Sequence, residues 1–179
     1  SLASQTFHQS GGAQAKHALT ITDDDQATLA FAAATSTTTN ESTARTVAVT
    51  LTLPTGAALA SSVSVDVTDA GSGSAVSGAD YTAFGTQTAT FAASSTSGST
   101  QTVTLTPRAD LLLEGNETVA LQLGKPQGAS AVGTQTAHVV TIADSNQASL
   151  AFLNATSAPA AERTASIATV HLTTSTAET

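Results

Sequence analysis

The sequence predicts an all-β fold, an antiparallel two-sheet sandwich arranged in tandem repeats. Three observations predict it. Apolar residues alternate with period 2 over most of the chain, turn residues separate those runs, and one stretch recurs at an offset of 121 residues. Period-2 alternation sends successive side chains to opposite faces of a strand, so the apolar set lines one face.

The strands can be read in order. Residues 27–31 place Leu29 and Phe31 on one face, and residues 46–53 place Val47, Val49, Leu51 and Leu53 together. Residues 62–68 carry Val63, Val65 and Val67; 101–106 carry Val103 and Leu105. Residues 118–123 carry Val119, Leu121 and Leu123, and 138–142 carry Val140 and Ile142. The alternate positions are mostly Thr, Ser and Ala, which marks a wet outer face. Turn signals fall between the runs at Pro54-Thr-Gly56, Gly71-Ser-Gly73, Ser97-Gly98, Gly115-Asn116 and Lys125-Pro-Gln-Gly128. No ten-residue window carries a 3.6 period. About seven short strands with such punctuation suit a sandwich.

The internal repeat sets the organisation. Residues 17–31 (HALTITDDDQATLAF) align with 138–152 (HVVTIADSNQASLAF), and 12–58 against 133–179 gives 21 identities in 47 ungapped pairs. His17 falls on His138, Asp23 on Asp144, Phe31 on Phe152, Glu41 on Glu162 and Leu51 on Leu172. The expected division is therefore 1–25 as the closing strand of a preceding repeat, 26–146 as a complete repeat, and 147–179 as the opening strands of a following one. Neither flanking piece can bury its apolar face alone. More of the same polypeptide would cover it, or a neighbouring subunit would complete the sandwich by strand addition.

Composition narrows the function. The 179 residues include 34 Thr, 21 Ser and 36 Ala, with Cys 0, Met 0, Trp 0 and a formal charge of -8. Thiolate metal, iron–sulfur and disulfide chemistry are excluded. Lys+Arg 5 cannot neutralise much phosphate, so no nucleic-acid partner is expected. No run approaches 18 apolar residues, so no membrane insertion by a helix is expected.

Four ordered motifs carry a family resemblance. Gly78-Ala-Asp80-Tyr81 is followed by Gly85-Thr-Gln-Thr-Ala-Thr-Phe91, then by Thr102-Val-Thr-Leu-Thr106. Next comes Asp110-Leu-Leu-Leu-Glu114-Gly-Asn-Glu117-Thr118, and the unit closes with Val140-Thr-Ile-Ala-Asp144. Together they resemble the Calx-beta domain, an immunoglobulin-like sandwich found in sodium–calcium exchangers, in an integrin subunit and in tandem on large bacterial surface proteins. The Cys-free, Ala/Thr/Ser-rich composition fits the bacterial branch.

The resemblance implies Ca²⁺ as the candidate cofactor, held by loop carboxylates at one end of the sandwich. The matching positions are Glu41, Asp80, Asp110, Glu114, Glu117 and Asp144, with Asp23, Asp24 and Asp25 for the preceding repeat and Glu162 for the following one. Ca²⁺ takes six to eight oxygen ligands, so converging carboxylates are suitable donors. Ala109, Asn116, Ser145 and Asn146 stand where acids are usual in calcium-binding members, so one ion is expected rather than a tight cluster. The competing reading has Asp80 and Glu114 capping turns through backbone N–H groups, without metal.

Other candidates are weaker. His17 and His138 are expected to pack at strand ends. Tyr81 is expected at the core edge with its hydroxyl on backbone. No G-x-S-x-G occurs and no glycosidase context surrounds the acids, so no enzyme is expected. The Asn40, Asn116 and Asn154 sequons and the Ser/Thr tracts at 35–39 and 94–100 read as ordinary polar loops or sites for sugar.

The expected role is a structural repeat of an extracellular or bacterial cell-surface protein, such as a filament or adhesin stalk. Its partners would be neighbouring repeats or identical subunits, with calcium at the junctions. A calcium-sensing regulatory module is the alternative. A carbohydrate- or host-binding head is a third, disfavoured by the few aromatics.

Overall fold

Alternation becomes two facing sheets. The computed structural model describes residues 25–156, 161–162 and 165–176. The strands are β1 (Ala27–Phe31), β2 (Thr35–Thr37), β3 (Arg45–Thr52), β4 (Val63–Asp69), β5 (Gln87–Phe91), β6 (Thr100–Leu105), β7 (Glu117–Gln127), β8 (Ser130–Val132), β9 (Ala137–Ile142), β10 (Asn146–Phe152) and β11 (Val170–Thr176). One sheet has the order β6-β3-β1-β8 and the other β2-β9-β7-β4-β5; β10 and β11 form a separate two-stranded ribbon.

The predicted inward residues form the core. Leu29, Val49, Leu51, Val65, Val67, Phe91, Leu105 and Val140 are fully buried, and Val47, Val103, Val119, Leu121 and Ile142 join them. With so few aromatics, β-branched and Leu side chains fill the space between the sheets. Leu53 and Leu123, at the ends of their runs, are only partly buried against this core.

Two pairings depart from a purely antiparallel pattern: β1 runs parallel to β8, and β2 runs parallel to β9. Both added strands are three residues long, too short to show a period. They lie beside β1 and β9, each of which would otherwise expose a ladder of unpaired groups.

The turn expected at Lys125-Pro-Gln-Gly128 begins later than predicted. β7 continues through Pro126, which pairs with Val65 where the β4–β7 register shifts between Val65 and Val67. The β9 pairing of β7 has already ended at Gln122, so the N–H that Pro lacks costs no ladder bond on that side. At Gly73 a Cβ would lie 2.0 Å from the Thr118 carbonyl oxygen, so only glycine lets this loop lie against β7.

His138 is a structural residue. It is buried, tilted against Phe31 with ring centroids 5.5 Å apart. Its Nδ1 donates to the Ala33 carbonyl (2.7 Å), leaving Nε2 to accept from the Ser36 hydroxyl (2.8 Å). Tyr81 is fully in the core, but its hydroxyl donates to the Asp69 carboxylate rather than to backbone. Burial first, and then Asp69, push the Tyr81 pKa up to about 12.

The ribbon repeats the pairing of the first hairpin. In β1–β3, Leu29 faces Leu51 and Phe31 faces Val49; in β10–β11, Leu150 faces Leu172 and Phe152 faces Val170. Each pair in the ribbon is the first displaced by 121. Its apolar residues are exposed, with Leu150 at 72% and Phe152 at 67%. The strand expected around Leu19 and Ile21, together with His17, Asp23 and Asp24, lies outside the described residues.

Candidate metal centre

The sheet ends decide which acids meet. β7 begins at Glu117 opposite Ile142, where β9 ends, so the loops entering β7 and leaving β9 share one end of the sandwich. The β4–β5 connection reaches the same end, because Tyr81 bridges to Pro107 after β6. Asp80, Asp110 and Glu114 thereby come together, with one carboxylate oxygen from each within 4.8 Å of the others. Glu41, Glu117 and Arg108 line the same recess, with a volume of about 10 Å³. That is room for one water-sized centre.

Backbone hydrogen bonds fix the carboxylates. Asp80 Oδ2 accepts from the Val76 N–H (2.6 Å), and Asp110 Oδ1 accepts from the Leu112 N–H (2.7 Å). Asp144 Oδ2 accepts from the N–H groups of Glu114 (3.0 Å) and Gly115 (2.7 Å), while its Oδ1 accepts from Asn146 N–H (2.7 Å). Gly115 has φ +80, a conformation glycine adopts freely, and this aims both N–H groups at Asp144. Asp80 therefore does cap a turn, as the metal-free reading expected, but it does so with one oxygen while taking part in the cluster.

Solved structures with this arrangement of strands are known. The apo-form Calx CBD1 domain matches with a TM-score of 0.57 and 17% identity, covering 66% of this chain and 97% of that one. The likeness is one of fold, an all-β sandwich. The Calx CBD2 domain matches with a TM-score of 0.53 and 15% identity, over 66% of this chain and 86% of that one. CBD12 of CALX1.1, described as a calcium binding domain, matches with a TM-score of 0.53 and 16% identity; this chain covers 45% of it. No protein-family model matches the sequence, and no curated protein does.

The loops at this end of the sandwich hold more negative charge than they neutralise. Desolvation, then a hydrogen bond with Asp80 and the charges of Asp80, Glu114 and Glu41, push the Glu117 pKa up to about 7. Desolvation and the charges of Asp110, Asp80 and Asp144 also raise Glu114. Asp144 moves the other way. Desolvation acts to raise it, but the N–H groups of Gly115, Asn146 and Glu114 and a hydrogen bond from Glu41 outweigh that and lower it. Two carboxyl pairs thus lie in hydrogen-bond contact: Glu117 with Asp80, and Glu41 with Asp144.

Some sequence-predicted residues stand elsewhere. Asp25 is exposed at the opposite end, beside a cavity of about 360 Å³ lined by Leu53, Pro54, Leu59 and Val63. Glu162 is exposed in the connection between β10 and β11, away from the cluster. The sequence reading missed Arg108. Its guanidinium donates to the Gly78 carbonyl and its N–H to the Asp80 carbonyl (2.8 Å), tying the two acidic loops together. Its place two residues before Asp110 was the available signal.

Proposed function

We propose that this chain is a structural repeat module of a large extracellular or bacterial cell-surface protein, a segment of a filament or adhesin stalk. In this reading Ca²⁺ bound by Asp80, Asp110 and Glu114, with Glu41, Glu117 and Asp144 around them, stiffens the joint between repeats. The observation that carries the reading is where these acids lie. They stand at the end from which β10 departs, and only residues 143–145 separate β9 from β10. Asp144 belongs to that connection and is bonded to the Glu114–Gly115 loop. An ion here ties the connection to the sandwich.

The ribbon supports the tandem organisation. In this reading it opens a repeat from residue 147, with the pairing of the complete repeat at 26–146, and the sequence of residues 1–25 belongs to a preceding one. Its exposed face wants a second sheet, supplied by the same polypeptide or by strand addition from an identical subunit. Leu111, Leu112 and Leu113, exposed beside the acids, offer further apolar surface at this joint. The Cys-free, Ser/Thr-rich composition suits an extracellular setting.

The test is calcium against chelator on the 179-residue chain. Calcium should raise the Tm and slow amide exchange in 110–117 and 143–147, leaving 54–62 at the far end unchanged. No change in either quantity rejects the reading. A calcium-sensing regulatory module is the second reading, favoured by the likeness to CBD12 of CALX1.1, a calcium binding domain. A dissociation constant below about 1 µM together with a large shape change would select it.

A further inference from the structure

Asn146 is the first residue of β10 and is 7% exposed. Its Nδ2 donates to the carbonyl oxygens of Asp110 (3.2 Å) and Leu112 (2.5 Å), and its own N–H donates to Asp144. Two backbone carbonyls from the acidic loop therefore converge on one point at the joint. Their lone pairs repel unless something positive stands between them. Here it is an amide with two protons and two carbonyls to receive them. The Oδ1 end of the same side chain is buried without a hydrogen-bond partner. The orientation of this amide is thus set by its donor end.

The internal repeat sharpens the point. Asn146 corresponds to Asp25, and Ser145 to Asp24. An ionised carboxylate in the place of Asn146 would face the two carbonyls acceptor to acceptor, and a cation is the bridge that would also offset their negative charge. The side chain at this position therefore decides whether the joint is closed by protons or by metal.

We propose that the Asn146 amide takes the place of a second cation, closing this joint without metal and limiting the acidic end to one ion. The limit to one ion rests on the calcium reading above; the metal-free closure does not. Asn146 is on this account a positioning residue, holding the start of β10 to the Asp110–Glu114 loop.

The experiment compares the 179-residue chain with Asn146→Asp and Asn146→Ala, in chelator and in calcium, by thermal melting and calorimetric titration with Ca²⁺. In chelator both variants should melt lower by about 3–8 °C, because two carbonyls lose their donor and the start of β10 loses its tie to the loop. In calcium, Asn146→Asp should bind one ion more than the wild type and recover the lost Tm. Asn146→Ala should gain no ion and recover nothing beyond the wild type's own gain. If Asn146→Asp melts like the wild type in chelator, or binds no additional ion, the proposal is overturned. If the wild type binds no calcium while Asn146→Asp binds one, the role of Asn146 stands and the calcium reading of the native cluster falls.

Discussion

The hairpin β1–β3 and the ribbon β10–β11 are one pairing in two surroundings. Leu29 opposes Leu51 as Leu150 opposes Leu172, and Phe31 opposes Val49 as Phe152 opposes Val170. Yet Phe31 is 3% exposed and Phe152 67%. The difference is the second sheet. Strands β4, β5, β7 and β9 close over the first hairpin with Val65, Val67, Phe91, Leu121 and Val140. Among the described residues nothing covers the ribbon in this way. Register is thus local information, carried by alternation and cross-strand pairs, whereas burial depends on the partner sheet.

The comparison breaks first on a core substitution. Phe31→Ala should cost about 3–5 kcal/mol, the usual loss for a large buried aromatic. Phe152→Ala, its counterpart, should cost less than about 0.5 kcal/mol, as an exposed substitution does. Urea denaturation of both variants measures this. Equal losses would mean that the ribbon has a core of its own within this chain.

A smaller effect separates the two regions by pH. In the folded chain Glu117 titrates near 7, above its ordinary 4.5, so the folded state holds more protons than the unfolded state between those values. The stability of the metal-free chain should therefore fall as pH rises from about 4.5 to about 7 through this group. A Tm series in chelator should show the decline, and Glu117→Gln should flatten it. The ribbon's Glu162→Gln should leave the profile unchanged. A Tm that climbs steadily over that window in both the wild type and Glu117→Gln would contradict the crowded-carboxylate picture.

Much of the fold was legible because Val, Leu and Phe alternate cleanly with Thr and Ser, and the long strands follow that pattern. β2 and β8 were not legible, since Thr35–Thr37 and Ser130–Val132 are too short for a period and pair in parallel at sheet edges. The end of β7 was hidden by Pro126, which reads as a turn unless the bulge opposite it is known. At the candidate site, the resemblance supplied all six positions of the complete repeat, Glu41, Asp80, Asp110, Glu114, Glu117 and Asp144. Asp25 and Glu162 stand apart from that group because one precedes β1 at the far end and the other lies between β10 and β11. What no pattern could reveal is the role of Asn146. It depends on where the carbonyls of Asp110 and Leu112 point, and backbone oxygens leave no mark in a sequence.

The central claim is that the acids at the β9–β10 joint hold a divalent ion. Tyr81, the chain's one tyrosine in the absence of tryptophan, directly follows Asp80 and gives a direct test through Tb³⁺, a hard, oxygen-seeking ion that substitutes for Ca²⁺. Excitation of Tyr81 should give saturable terbium emission that Ca²⁺ displaces, and Asp110→Asn should weaken binding by about tenfold or more, ~1.4 kcal/mol. Emission that never saturates, or that Asp110→Asn leaves untouched, would contradict the account.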